Sequence, residues 1–325
     1  MRTALVIFCG VCLAGALLMS GCKKDSSGPN DMGSSQAAMV QSAMESSAAT
    51  DAFVSNDELA FADSRVAPTN YDETLAKLDS AVTPLRWGRF ITSITRTATI
   101  ASTSGDTAGV VRIERTIVGV LKIQTSGGDT LSKPFTDKSV RDVIVRRLPH
   151  SDSTAVLTWR PVATSLVSGS TQNLTGTGNS IAITQVVINA GGNTLTITNP
   201  LTFWLRYGWG LGFRDCKANV PEFKMNDSLV VNATVMSQSA DTDMVVLRHG
   251  FGLQSLHFRR GRMSLVSQTG PDANGFYTRV YELHLQPRFG LGFFHVGIDA
   301  VTRATLYDSS APYSVSWWGV PYAVR

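Results

Sequence analysis

The chain has 325 residues, of which 17% are charged and 43% hydrophobic, and its formal net charge is +4. The basic residues are dispersed, and the one local cluster, Arg259-Arg260-Gly261-Arg262, lacks the length and aromatic interleaving of a nucleic-acid surface. Nucleic acid is therefore not an expected partner.

The first 22 residues carry the most information. Arg2 supplies a short positive start, and Ala4 to Met19 is an apolar run without a charge, closed by Ser20-Gly21-Cys22. A run of this length with small residues at its end reads as an export signal rather than a membrane span. The ending Leu17-Leu18-Met19-Ser20-Gly21-Cys22 resembles the lipobox of bacterial lipoproteins. Met19 stands where that family usually has an aliphatic residue, with Leu18 one place further back. The resemblance implies that residues 1–21 are a signal peptide and that Cys22 is the lipid-bearing first residue of the mature chain. It implies a cell-envelope location, with the membrane as partner through that anchor. Lys23 follows Cys22, where Asp would retain such a protein in the inner membrane of enteric bacteria, so the outer membrane is expected, at its periplasmic or surface face. Stable anchoring takes more than one acyl chain, which lipoprotein processing supplies, and Lys23 and Lys24 would meet anionic headgroups. A plain secretory signal with an incidental Cys is the competing reading.

Residues 22–57 read as a flexible tether, because a Ser-, Ala-, Met- and Gly-rich stretch buries too little apolar surface to offset its ordering entropy. A few helical turns are compatible with Ala37 to Met44. Residues 58–85 form a short helical or irregular lead-in. Within it Asn70 to Val82 is the best helix candidate, with Asp72 as cap and Leu75, Leu78 and Val82 on one face.

From residue 86 the pattern is that of strands. Val111, Ile113, Ile117, Leu121 and Ile123 alternate on one face, and Phe90, Ile94, Ala98 and Ile100 do so less cleanly. The turn-rich Ser102 to Gly109 joins the two runs in a long hairpin. Gly191-Gly192 between β-branched runs marks a second, tight hairpin. After Val220 about seven short strands follow, beginning with Leu229, Val231, Ala233 and Val235 on one face. Their number and spacing resemble an immunoglobulin-like β-sandwich without its cysteine pair. The expected fold is mainly β: tandem antiparallel β-sandwiches, a β-rich domain over 86–217 and an immunoglobulin-like domain over 218–325, with one larger β-domain as the alternative.

No catalytic, cofactor or metal motif stands out, and the residue types that carry such chemistry have plain structural readings. Cys216 has no partner in a mature chain whose other Cys is lipidated, and reads as a small buried hydrophobe. His249, His257, His284 and His295 would hold a metal only if their strands brought them together. Asp241 and Asp243, with Asn226 and Asp227, would suit Ca²⁺ but read more simply as turn residues. Trp317, Trp318 and Tyr322 would make a sugar platform, although neighbouring strand residues face opposite sides. The refrain Arg-x-Gly-x-Gly occurs at Arg206, Arg248 and Arg288 and reads as strand-corner chemistry, with an anion-binding rim of the three arginines as the functional alternative. The expected function is a non-enzymatic envelope lipoprotein with a structural, adhesive or assembly role and an envelope protein or glycan as partner. The alternatives are a glycan- or small-ligand-binding module and a hydrolase using dispersed carboxylates such as Glu222, Glu282 and Asp299.

Overall fold

A computed structural model describes residues 36–43, 67–68, 84–105, 107–150, 153–172, 180–206, 221–224, 227–251, 259–285, 292–320 and 322–324. The helix candidate over 70–82 lies outside them, as do Cys22 and Cys216. Helix α1 (36–43) is followed by the two-residue β1 (Ala67–Pro68) and then by three long strands, β2 (Pro84–Ser104), β3 (Ala108–Thr125) and β4 (Thr130–His150). At about 3.3 Å per residue, strands of this length run for roughly 60–70 Å. The expected alternation holds on β3, where Val111, Ile113, Ile117, Leu121 and Ile123 are all buried. On β2 it fails at one point. The pairing of β2 with β3 shifts between Ile91 and Ser93, so that Phe90 lies opposite Val120 and Ile94 opposite Ile117, on the other face.

The chain continues through β5 (Ser153–Ser165), β6 (Val167–Thr171), β7 (Ile181–Ala190), β8 (Asn193–Ile197) and β9 (Trp204–Arg206). Gly191 and Gly192 make the predicted turn between β7 and β8 with φ of 53° and 83°, a region open to glycine. Then come β10 (Glu222–Phe223), β11 (Leu229–Ser237), β12 (Met244–Phe251), β13 (Arg259–Arg262), β14 (Ser264–Thr269) and β15 (Tyr277–Leu285). The last elements are β16 (Gly292–Val301), helix α2 (Arg303–Tyr307), β17 (Val315–Gly319) and β18 (Tyr322–Val324).

These strands form two sheets. The larger follows the order β1-β2-β3-β4-β6-β17-β16-β12-β13, with β5, β9, β10 and β18 paired to its side. The smaller is β14-β15-β11-β7-β8. Apart from the parallel pair β10 and β18, neighbours are antiparallel. Each sheet draws strands from both sides of residue 217: β6 pairs with β17, and β7 pairs with β11. The strands interleave there, and neither sheet is confined to 86–217 or to 218–325. Alternation in a sequence tells which face of a strand is apolar, not which strand lies beside it.

Strands β12, β16 and β17 are buried on both faces and separate two cores. One face puts Val245, Leu247, Ile298, Ala300 and Trp318 against Ile183, Val186, Val231 and Val235 of the smaller sheet. The other puts Met244, Val246, Val301, Val315 and Trp317 against Trp87, Leu121, Ile123 and Phe135, because the larger sheet curls back over itself. A third cluster lies further along the long strands. There α1 sets Met39 and Ala43, one helical turn apart, against Val111, Ile113, Val143 and Val145, and Ser42 donates to the carbonyl of Trp159. A docked helix thus stands within the segment read as a tether, at the place where helical turns were compatible with the sequence. Its residues include good helix formers, and one face carries enough apolar surface to be buried.

Candidate functional site

The curled part of the larger sheet holds charge inside its core. Arg89 on β2, Arg248 on β12 and Asp299 on β16 are fully buried. Each occupies the inward parity of its strand, where alternation places it beside Trp87, Val246 and Val301. Both arginines converge on Asp299 Oδ2, Arg89 through a close contact and Arg248 at 3.2 Å. Their guanidinium groups lie 5.6 Å and 5.3 Å from the ring of Trp87, within range of a cation–π attraction. Asp137 on β4 is buried nearby and accepts a hydrogen bond of 3.1 Å from the Tyr313 hydroxyl. Burial pushes the Asp137 carboxyl up to about 6, against the opposing pull of Arg89. Burial also drives the Tyr313 phenol well above its ordinary range. Close packing fills this region: a Cβ on Gly169 would overlap the Trp317 ring. The arrangement fits an internal ion network that fixes the curl.

A second buried ion pair secures the turn between β11 and β12. Arg279 donates to Asp243 at 2.7 Å, to Gln268 at 2.7 Å and to the carbonyls of Ser239 and Ala240. Asp243 also accepts from Ser237 at 2.9 Å. Burial raises the Asp243 carboxyl to about 6, while the bonds from Arg279 and Ser237 work the other way.

Among the described residues, Arg248 and Asp299 meet in the ion network, but the histidine, carboxylate and arginine sets singled out in the sequence do not converge as sets. Asp243 is engaged by Arg279, and Asp241 is exposed. Asp227 lies beyond the opposite end of β11, where it accepts from the Lys224 amide, and Asn226 lies outside the described residues. No group of three or more metal-ligating side chains occurs among the described residues. His284 stands exposed on β15 in the smaller sheet, 2.8 Å from Glu282, whereas His249 and His295 belong to β12 and β16 in the larger one. His257 lies outside the described residues.

Trp317, Trp318 and Tyr322 are all buried, which removes them as a sugar platform. The two tryptophans face opposite sides as expected, but each side is a core. Arg248 is an internal ion-pair partner and not part of a rim; Arg206 ends β9, and Arg288 lies outside the described residues. In the second copy of the refrain β12 pairs with β16 without a shift from Met244 to Phe251, so Gly250 makes no bulge there, and Gly252 lies outside the described residues. Glu222 is exposed on β10, Glu282 is on β15, and Asp299 is sealed between Arg89 and Arg248.

Among the described residues, two strand edges stand open to solvent. Beyond β1, which pairs only with Arg86 and Trp87, no described strand lies along the outer side of β2. Residues Thr92 to Thr97 are exposed on both faces. In the smaller sheet β14 is one of the two outer strands and all six of its residues are exposed, with Val266 at 59%. Sequence reasoning missed both edges. The signal was present in their low charge, since β14 carries no charged residue and β2 carries only Arg96 between Phe90 and Ser104.

Fold and surface together define a mainly β protein of two antiparallel sheets with long exposed edges, and not a closed barrel. No family model, curated protein or solved structure matches the chain. No helix among the described residues is long and apolar enough to cross a membrane.

Proposed function

We propose that this chain is a lipid-anchored component of a bacterial cell envelope, held at the outer membrane through Cys22, with a non-enzymatic structural, adhesive or assembly role. The observation that carries the reading is the uncharged run ending in Leu17-Leu18-Met19-Ser20-Gly21-Cys22. The exposed edges of β2 and β14 support an assembly role, because unpaired backbone donors and acceptors along an edge are where another strand adds. The aromatic residues that a glycan-binding role relied on are buried.

The test is metabolic labelling with palmitate in a bacterial host. The full chain is expected to take up label and to fractionate with membranes, and Cys22→Ala to lose both. Equal labelling of the two proteins would overturn the anchor.

A further inference from the structure

We infer that the end of the long strands on which α1 docks faces the membrane and rests on anionic lipid headgroups through Arg146, Arg147 and Arg160. The inference depends on the anchor at Cys22 proposed above and gives that anchor an orientation.

Reach brings this end to the surface. Residue 36, where α1 begins, is 14 positions after Cys22, whereas Pro84, where β2 begins, is 62 positions after it. At no more than about 3.6 Å per residue, the shorter stretch holds α1 within roughly 50 Å of the membrane, and a chain tied only at Pro84 would have over four times that range. The helix has a built seat. Met39 and Ala43 are buried against Val111, Ile113, Val143 and Val145, and Ser42 donates to the Trp159 carbonyl. Gly109 leaves room for the Met39 sulfur, which a Cβ there would meet at 2.5 Å. The seat lies at the end of the sheet where β2 gives way to β3 and β4 to β5. The turn at the other end, between β3 and β4, is roughly 60 Å from Arg147 along β4.

Charge holds the end there. Arg146 and Arg147 on β4 are exposed, and Arg160 on β5 is half-buried directly opposite Arg146. Alternation puts Arg147 on the face of α1, opposite Trp159, and Arg146 and Arg160 on the reverse face, so basic groups rim the end on both faces. The carboxylates along these strands are already engaged, Asp142 by Arg112 at 2.9 Å and Glu114 by Lys138 at 2.8 Å. Asp106 and Asp152, which fall between the strands in sequence, lie outside the described residues. Like charges directly opposed across two strands repel, and an anionic surface relieves that cost. Such attraction extends only about 8–10 Å at physiological salt, so it acts on an end that is already held close.

The experiment uses the processed chain, purified from bacterial membranes with Cys216→Ser and one added cysteine. That cysteine is Thr107→Cys at the α1 end or Ser126→Cys at the other, both exposed positions. A donor dye on it reports energy transfer to acceptor-labelled lipid in vesicles of phosphatidylcholine and phosphatidylglycerol. Transfer from position 107 should exceed that from position 126 several-fold. Arg146→Glu/Arg147→Glu should at least halve the transfer from position 107, and so should vesicles without phosphatidylglycerol. Both arginines are exposed, so the thermal melt of that variant should stay unchanged. Met39→Asp/Ala43→Asp, which unseats α1, should bring the two positions close to equal.

Equal transfer from the two positions in the unaltered background would overturn the inference. So would transfer from position 107 that ignores both the charge reversal and the lipid charge, or that survives the unseating of α1. Flotation with the same vesicles reports the anchor separately. A chain that does not float removes the anchor and this inference with it, and a chain that floats with equal transfer removes the orientation alone.

Discussion

The two faces of β12, β16 and β17 are built from alternate residues of the same segments, yet they solve burial differently. Towards the smaller sheet the contacts are made by Val245, Leu247, Ile298, Ala300 and Trp318. Towards the curl, neighbours in sequence supply Val246, Trp317 and Val301 but also Arg248 and Asp299. The aliphatic side gains stability roughly in proportion to buried area and tolerates volume-matched exchange. The ionic side has a different logic: its charges are costly to bury, and they hold only as a set. What it gains is direction, because the guanidinium groups of Arg89 and Arg248 must both reach one carboxylate oxygen. That requirement ties β2, at the end of the curl, to β12 and β16.

The comparison breaks most sharply at Asp299. Replacing it with Ala leaves two buried arginines without their shared carboxylate, and the expected loss is about 3–5 kcal/mol by chemical denaturation. Exchanging all three partners together, as Arg89→Met, Arg248→Met and Asp299→Leu, should restore most of that loss. If Asp299→Ala costs under about 1 kcal/mol, the ion network does not hold the curl.

Asp137 sharpens the same contrast through pH. Its carboxyl is raised from 3.8 to about 6, first by burial. The folded state therefore holds the proton more tightly than the unfolded state does. Stability from this group is full below about pH 4 and is lost as the pH rises through 6. Asp137→Asn keeps the shape and removes the titration. It should gain stability at pH 7.5, by about 1.4 kcal/mol for each unit of raised pKa, and gain none at pH 4. Asp243 is raised to a similar value and keeps its own titration in that variant. Denaturation midpoints measured from pH 4 to 8 would show the difference.

Much of the local structure was legible in the sequence. Alternation identified the buried faces of β3 and β11, and Gly191-Gly192 identified a tight turn, because period and backbone freedom are local properties. Three features were not. The bulge near Ile91 moves Phe90 to the other face without any local sign in the side-chain pattern. Alternation put Trp317 and Trp318 on opposite sides but did not show that both sides are cores, because it cannot distinguish a strand facing water from a strand between two cores. Arg248 and Asp299 are 51 residues apart, and nothing in their neighbourhoods indicates that β12 and β16 place them together. The site candidates failed for the same reason: His284 and His295 follow similar apolar patterns but belong to different sheets.

The smallest expected effect concerns a third kind of surface, apolar and uncovered. Leu265 and Val266 on β14 are 40% and 59% exposed, so they contribute little burial to lose. Leu265→Thr and Val266→Thr should each change stability by no more than about 0.5 kcal/mol, the range of ordinary surface substitutions. The same exchange at Leu247, which is fully buried between the sheets, removes apolar volume and buries a hydroxyl, and should cost several times as much. Melts of the three variants side by side would order them. If the β14 variants proved as damaging as Leu247→Thr, then β14 would be covered in the protein by something its exposed residues do not show, and the smaller sheet would not end there.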